Sequence, residues 1–261
     1  MEKKENKLFV FLGFFFITNA LIAEFIGVKI FSLEKVLGFS PYAFTLLGVN
    51  FEGLNLSAGV LQWPIVFVMT DVINEYYGKR GVRFLSFLTA LMILYAFLFI
   101  KVAIEVPPAP FWQEYNWNSV KIPLDPAFHV LFGQGLWIIA GSITAFLIGQ
   151  LVDVISFHFI RKRTGSRFIW LRATGSTLIS QLIDSYVVLF IAFYLGWGWD
   201  LNTVLAVGMI NYSYKVVAAI LLTPLLYGIH YVIDWYLGDE LSRQLQLKAS
   251  EEPPLKGLFR F

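Results

Sequence analysis

Hydrophobic and polar positions divide the chain into long apolar runs that end in small knots of charge. The runs cover residues 8–31, 58–77, 82–104, 128–157, 168–197 and 203–224. At ~1.5 Å per residue, each reads as long enough for a hydrocarbon core of ~30 Å. The pattern predicts an all-α polytopic membrane protein, a six-helix transmembrane bundle over residues 1–237 with a polar cytoplasmic tail over 238–261. The charged leader MEKKENK precedes an apolar run too long for a secretory signal, and no small-residue cleavage site follows it. The first run is therefore expected to stay as a span.

The connecting segments differ in kind. Residues 32–57 read as a loop with Gly38, Pro41, Gly48, Glu52 and Gly53, whose apolar piece Tyr42 to Phe51 is too short to span and is expected to lie at the interface or to re-enter. Residues 105–126 hold Pro107, Pro108, Pro110, Pro123 and Pro126, which forbid a regular helix. Their Phe111, Trp112, Tyr115 and Trp117 suit an aromatic belt at a membrane interface. The apolar pattern past Pro224 reads as a kinked extension to Leu237, and the tail beyond as partly disordered.

Composition supports the membrane assignment. Hydrophobic residues make up 57% and charged residues 15%, against about 25% charged in a soluble domain. Mean hydropathy is +0.67. The net charge of +2 forms no basic face, so no nucleic-acid partner is expected. With no cysteine, thiolate metal sites and a Cys nucleophile are excluded. Basic residues gather in the leader (Lys3, Lys4, Lys7), after the second run (Lys79, Arg80, Arg83) and after the fourth (Arg161, Lys162, Arg163, Arg167). Such residues mark the cytoplasmic side, so both termini are expected inside.

Candidate chemistry lies in the polar residues within the apolar runs. An Asp or Lys at a helix centre costs ~2.5–3.5 kcal/mol on the insertion scale, so it is retained only if paired or facing a wet cavity. Asp71, Asn74, Glu75 and Gly78 share one helical face at the end of the second run. Gln150 and Asp153 share a face in the fourth, above the small-residue ladder Gly141, Ala145 and Gly149, which is read as packing. Thr174, Thr177, Gln181 and Asp184 form a stripe in the fifth run, and Asn211, Tyr214 and Lys215 form one in the sixth. Depth along the helices places Asn19, Gln181, Asp184 and Lys215 near the midplane, with Asp71, Asn74, Glu75 and Asp153 in the cytoplasmic third. His158 and Arg172 sit near helix ends, where they are expected to snorkel and are given no role.

Several of these residues fall in one order: Thr18-Asn19, Phe67-x-x-Thr70-Asp71 with Gly78, Gly149-Gln150-x-x-Asp153, Ser176-Thr177 with Asp184, and Asn211-Tyr212-x-x-Lys215 with Pro224. Over about residues 8–230 the chain resembles the queuosine precursor transporter family, also called the vitamin uptake transporter family. The resemblance implies inner-membrane uptake of 7-deazaguanines such as 7-cyano-7-deazaguanine. It also implies a fold related to the six-helix substrate-binding subunits of energy-coupling-factor vitamin importers.

A deazaguanine presents N–H donors beside a carbonyl, which a carboxylate and a Lys, Asn or Gln can meet. The substrate-binding candidates are Asn19, Gln181, Asp184, Asn211, Tyr212 and Lys215, with Tyr186 and Tyr214 as further rings that could stack. Asp71, Asn74, Glu75, Gln150 and Asp153 are the candidates for gating or proton coupling. The expected partners are the deazapurine, the lipid bilayer and either a second copy or an energising complex; no cofactor and no metal is expected. The chain has no P-loop, so import is read as secondary active or facilitated. The alternative is a substrate-binding subunit serving a separate ATPase-driven complex, with the Ala20, Ala23 and Gly27 stripe as its docking face. An intramembrane enzyme is poorly supported, since no HExxH and no convincing Ser/His pair is present.

Overall fold

The computed structural model describes residues 3–133, 135–164 and 169–250. Helix α1 spans Lys4–Ile26 and leads into strand β1 (Ile30–Ser32) and the short α2 (Leu33–Val36). Strands β2 (Phe44–Leu46), β3 (Val49–Phe51) and β4 (Asn55–Ser57) follow, then a 3-10 turn at Ala58–Leu61. Helix α3 runs over Trp63–Glu105, and a hairpin of β5 (Glu114–Trp117) and β6 (Val120–Pro123) connects it to α4 (Leu124–Phe132). The rest is α5 (Leu136–Thr164), α6 (Ile169–Leu189) closing in a π turn at Phe190–Leu195, α7 (Leu201–Leu237) and α8 (Asp239–Ser250).

Among the described residues, five helical stretches are long and apolar enough to cross a membrane: Lys4–Ile26, Ala58–Glu105, Leu124–Thr164, Thr174–Leu195 and Leu201–Leu237. The second contains both apolar runs that the sequence separates. Its backbone leaves the helical region at Gly78, with φ 66° and ψ −169°, a conformation essentially reserved for glycine. Thr70, eight residues before this break, donates to Gln150 Oε1 at 3.0 Å. Ser86, eight residues after it, donates to the same oxygen at 3.4 Å. Two positions so placed reach one atom when the arms 63–77 and 79–105 fold back on each other.

The arms of α3 occupy the middle of the bundle, touching α1, α5, α7 and α8. The buried core joins Leu12 and Phe16 of α1, Val66, Ile73 and Ile93 of α3, Phe146 and Phe157 of α5, and Leu226 and Ile233 of α7. The interface of α5 with α6 is the most extensive. It is set by the glycine ladder, since a Cβ at Gly141 would stand 3.1 Å from Val188 O and one at Gly149 would stand 3.4 Å from Asp184 Cβ. Small residues here let the two backbones approach, which is how helices associate where lipid offers no hydrophobic drive.

Three sequence expectations are corrected. Residues 30–57 form antiparallel ladders, β1 with β4 and β2 with β3, instead of re-entering the bundle. Glu34 anchors them, accepting Leu54 N–H at 2.6 Å and the Ser32 hydroxyl at 2.9 Å. Asp239–Ser250, within the tail expected to be partly disordered, is an amphipathic helix, with Ser242 and Ala249 buried and Leu241 and Leu245 against the core. Lastly, the Ala20 and Ala23 side chains are covered within the chain itself, where the Ala23 carbonyl faces Gly59 closely, so this stripe offers no docking face. Arg167 and the tail beyond Ser250 lie outside the described residues.

One end of the bundle collects the basic groups. Lys4 donates to Tyr236 O at 2.9 Å, Tyr77 beside Gly78 donates to Glu5 O at 2.7 Å, and Arg161 donates to Gln246 O at 3.0 Å. Lys79, Arg80 and Lys162 neighbour these contacts in sequence.

Candidate functional site

Between the first arm of α3, α6 and α7 lies a recess of about 400 Å³, its open side counted. Phe67, Val68, Leu222 and Leu226 form apolar walls, while Asp71, Thr174, Thr177, Gln181, Lys215 and Thr223 supply polar ones. A few placed polar groups on an apolar lining is the usual make-up of a small-molecule site.

The polar groups arrive from three helices by regular spacing. Thr174, Thr177 and Gln181 recur at three and four residues on α6 and so face one way. Thr177 donates to Asp71 Oδ2 at 3.2 Å, joining α6 to α3. Thr174 and Thr223 hydroxyls meet at 3.2 Å, joining α6 to α7. Lys215 of α7 donates to Asp184 Oδ2 at 2.5 Å, and the two side chains are 9% and 17% exposed. That ion pair answers the insertion cost that singled both residues out.

Of the six residues proposed from sequence for substrate, Gln181 and Lys215 line the recess and Asp184 stands behind Lys215. Asn19 is placed elsewhere. It is buried and hydrogen-bonded to Gln62, at the start of α3, and to Phe15 O at 2.6 Å. Asn211 and Tyr212, a turn before Lys215, are half-buried and do not line the recess. The Tyr186 ring is pressed on Gly208, where it packs α6 on α7 instead of standing ready to stack on a solute.

The five gating candidates divide. Asp71 belongs to the recess, whereas Glu75, one turn on, lies 3.5 Å from Arg161 of α5. Asn74 Oδ1 lies 3.1 Å from His158 Nε2, and His158 is buried at 7% exposure instead of snorkelling. Asp153 accepts from the Ser180 hydroxyl at 3.2 Å, and Gln150 accepts from both arms of α3. These groups form a buried polar layer running from the recess to the basic end.

Sequence reasoning missed other partners. Glu24 is 6% exposed and accepts from the Ser142 hydroxyl of α5. The cost argument applied to Asp184 would have found it, since it interrupts an apolar run. Tyr76 donates to Asp234 at 2.7 Å and lies 3.0 Å from His230, while Ser242 of α8 donates to Asp234 at 2.5 Å. No local pattern signals that set, because its members come from three helices.

Comparison with known proteins places the chain among transporters. The family described as putative vitamin uptake transporter matches residues 57–229. A probable queuosine precursor transporter of Bacillus subtilis is 32% identical over 149 residues, 56% of this chain and 59% of that protein, so the match spans less than two thirds of that relative. The queuosine precursor transporter of Escherichia coli is 25% identical over 194 residues, covering 70% of this chain and 76% of its own. A probable queuosine precursor transporter of Haemophilus influenzae is 23% identical over 263 residues, covering 97% and 96%. No solved structure matches the chain.

Proposed function

The chain belongs to the putative vitamin uptake transporter family, and on that premise we propose that it imports queuosine precursors, 7-deazaguanines such as 7-cyano-7-deazaguanine. It is a multi-pass protein of the bacterial inner membrane and a transporter, not an enzyme. The observation that carries the substrate reading is the recess itself, in which Asp71, Gln181 and Lys215 gather among apolar walls inside a bundle of membrane-crossing helices.

In this reading the chain crosses the membrane six times with both termini in the cytoplasm. The break at Gly78 supports the count, with Thr70 and Ser86 meeting on Gln150. The gathering of Lys4, Tyr77, Arg161 and α8 at one end supports the orientation, because basic residues favour the cytoplasmic face. Gln181 and Lys215 hold the solute, with Asp184 fixing Lys215 in place; Asn211 and Tyr212 serve its approach from the outer half. Asn74, Glu75, Gln150 and Asp153 form the layer that closes on the inner side, and Asp71 stands where the two groups meet. Transport is secondary active or facilitated, and needs no ATPase.

The test is uptake of labelled 7-cyano-7-deazaguanine by proteoliposomes containing this chain alone. Accumulation or exchange above protein-free vesicles supports the proposal. No uptake by protein that still binds the base in detergent would move the chain to the role of a capture subunit.

A further inference from the structure

Two residues that line the recess each carry a buried polar atom without a hydrogen-bond partner among the described residues. Asp71 is 4% exposed, and while its Oδ2 takes the Thr177 hydroxyl, its Oδ1 has no hydrogen-bond partner. Gln181 is also 4% exposed, and its Nε2 has no partner. Both residues line the same recess, one from α3 and one from α6. Buried polar groups are almost always paired, and an unpaired one costs the full desolvation of that group. An unmet acceptor and an unmet donor on two residues of one cavity wall are the complement of a ligand edge that carries a donor and an acceptor.

Thr177, which holds Asp71, precedes Gln181 by four residues on α6, so Asp71 and Gln181 meet the recess along one face of that helix. One edge of a single six-membered ring can offer an amine or N–H at one side and a carbonyl at the other. Asp184, the acid that sequence depth favours for the donor edge, is committed to Lys215 at 2.5 Å. Lys215 has its charge balanced there, which leaves the recess suited to a neutral heterocycle.

We propose that Asp71 and Gln181 read the pairing edge of the solute: the Asp71 carboxylate accepts from a ring N–H and its neighbouring 2-amino group, and Gln181 Nε2 donates to the ring carbonyl. The ligand class is a planar 2-amino-lactam heterocycle. This rests on the import of deazaguanines proposed above and adds which residues choose them. An ionised carboxylate has the lone pairs for two such donors, and Gln has the matching donor for the carbonyl. A site built this way rejects analogues lacking those groups far more strongly than a hydrophobic pocket rejects a lost methylene.

The experiment is calorimetric titration of the full chain in nanodiscs with three probes: 7-cyano-7-deazaguanine, its analogue without the 2-amino group, and its 6-O-methyl analogue. Wild type is expected to bind the first about tenfold to a hundredfold more tightly than either analogue, the range of one buried group left unpaired. Asp71→Asn is expected to lose the preference for the 2-amino compound while keeping that for the carbonyl. Gln181→Met, which removes the donor without adding charge, is expected to do the reverse, and it keeps the proposal open to refutation if the Asp71 variant does not fold. If both variants fold and retain both preferences, the assignment is overturned while import of deazaguanines stands. If wild type binds none of the three probes, the functional reading is overturned and the assignment with it.

Discussion

Neutralising Lys215 should damage the protein more than neutralising Asp184. The two groups meet at 2.5 Å with 9% and 17% exposure. At an effective dielectric constant of ~20, that separation is worth about 7 kcal/mol of gross attraction, which offsets a desolvation penalty of several kcal/mol for each ion. The pair as a whole therefore contributes little net stability, while removing one partner leaves a buried charge at a cost of about 3–5 kcal/mol. The surroundings make the two single changes unequal. In Asp184→Asn, the Lys215 ammonium still shares the recess with a second carboxylate, Asp71. In Lys215→Met, Asp184 keeps its charge with Glu24 within electrostatic reach and loses its cation. For a chain of this size, 3–5 kcal/mol corresponds to about 6–20 °C in Tm, measured by differential scanning fluorimetry in one detergent. Lys215→Met should fall at the upper end and Asp184→Asn at the lower, and the double variant should recover most of the loss without regaining transport. Small, additive shifts, or a larger loss for Asp184→Asn, would refute the argument.

Three further outcomes follow from geometry. Gly78→Ala places a Cβ on a backbone with φ 66° and ψ −169° and should destabilise by ~1–3 kcal/mol; an unchanged Tm would mean the break is not where the structure puts it. Arg80→Cys should resist an impermeant maleimide in intact cells and react after permeabilisation, with no native cysteine to interfere, and labelling from outside would invert the proposed orientation. Glu34 has its pKa held below the usual carboxylate range, first by the Leu54 N–H and also by the Ser32 hydroxyl. A depressed pKa stabilises above its ordinary value, so the β1–β4 cap should hold at neutral pH and loosen as pH falls through the depressed value. The Leu54 amide resonance should titrate below the ordinary glutamate range in the wild type and not in Glu34→Gln, and an inflection kept by the variant would assign it to another group.

The cost of buried charge made part of this molecule legible from sequence. It singled out Asp184 and Lys215, and the structure pairs them. The glycine between two apolar runs announced an interruption at Gly78, and the small-residue ladder in the fourth run announced close packing on α6. Helix rotation was not legible. These helices are apolar on nearly every side, since lipid and core both accept Phe, Leu and Ile, so periodicity does not say which face looks inward. That is why Asp71 and Glu75, one turn apart, were grouped although one opens on the recess and the other meets Arg161. Depth alone did not say that Asn19 stands apart from the recess, because counting along one helix ignores which neighbour it meets, here Gln62 just ahead of α3. The cap over residues 30–57 was hidden for another reason, since its strands are three residues long and carry no period to read.

Pro224 lies inside α7, where a missing N–H removes one rung of the backbone ladder. Nine residues before it stands Lys215; six and ten residues after it stand His230 and Asp234, which hold Tyr76. The weakened rung thus separates the cation beside the recess from the anchorage at the basic end. A rod with such a notch bends most cheaply there, and a bend would swing Lys215 relative to Asp71 and Gln181 with the Tyr76 anchorage intact. The helix is in that respect a lever, with its load and its fixed point on opposite sides of the proline.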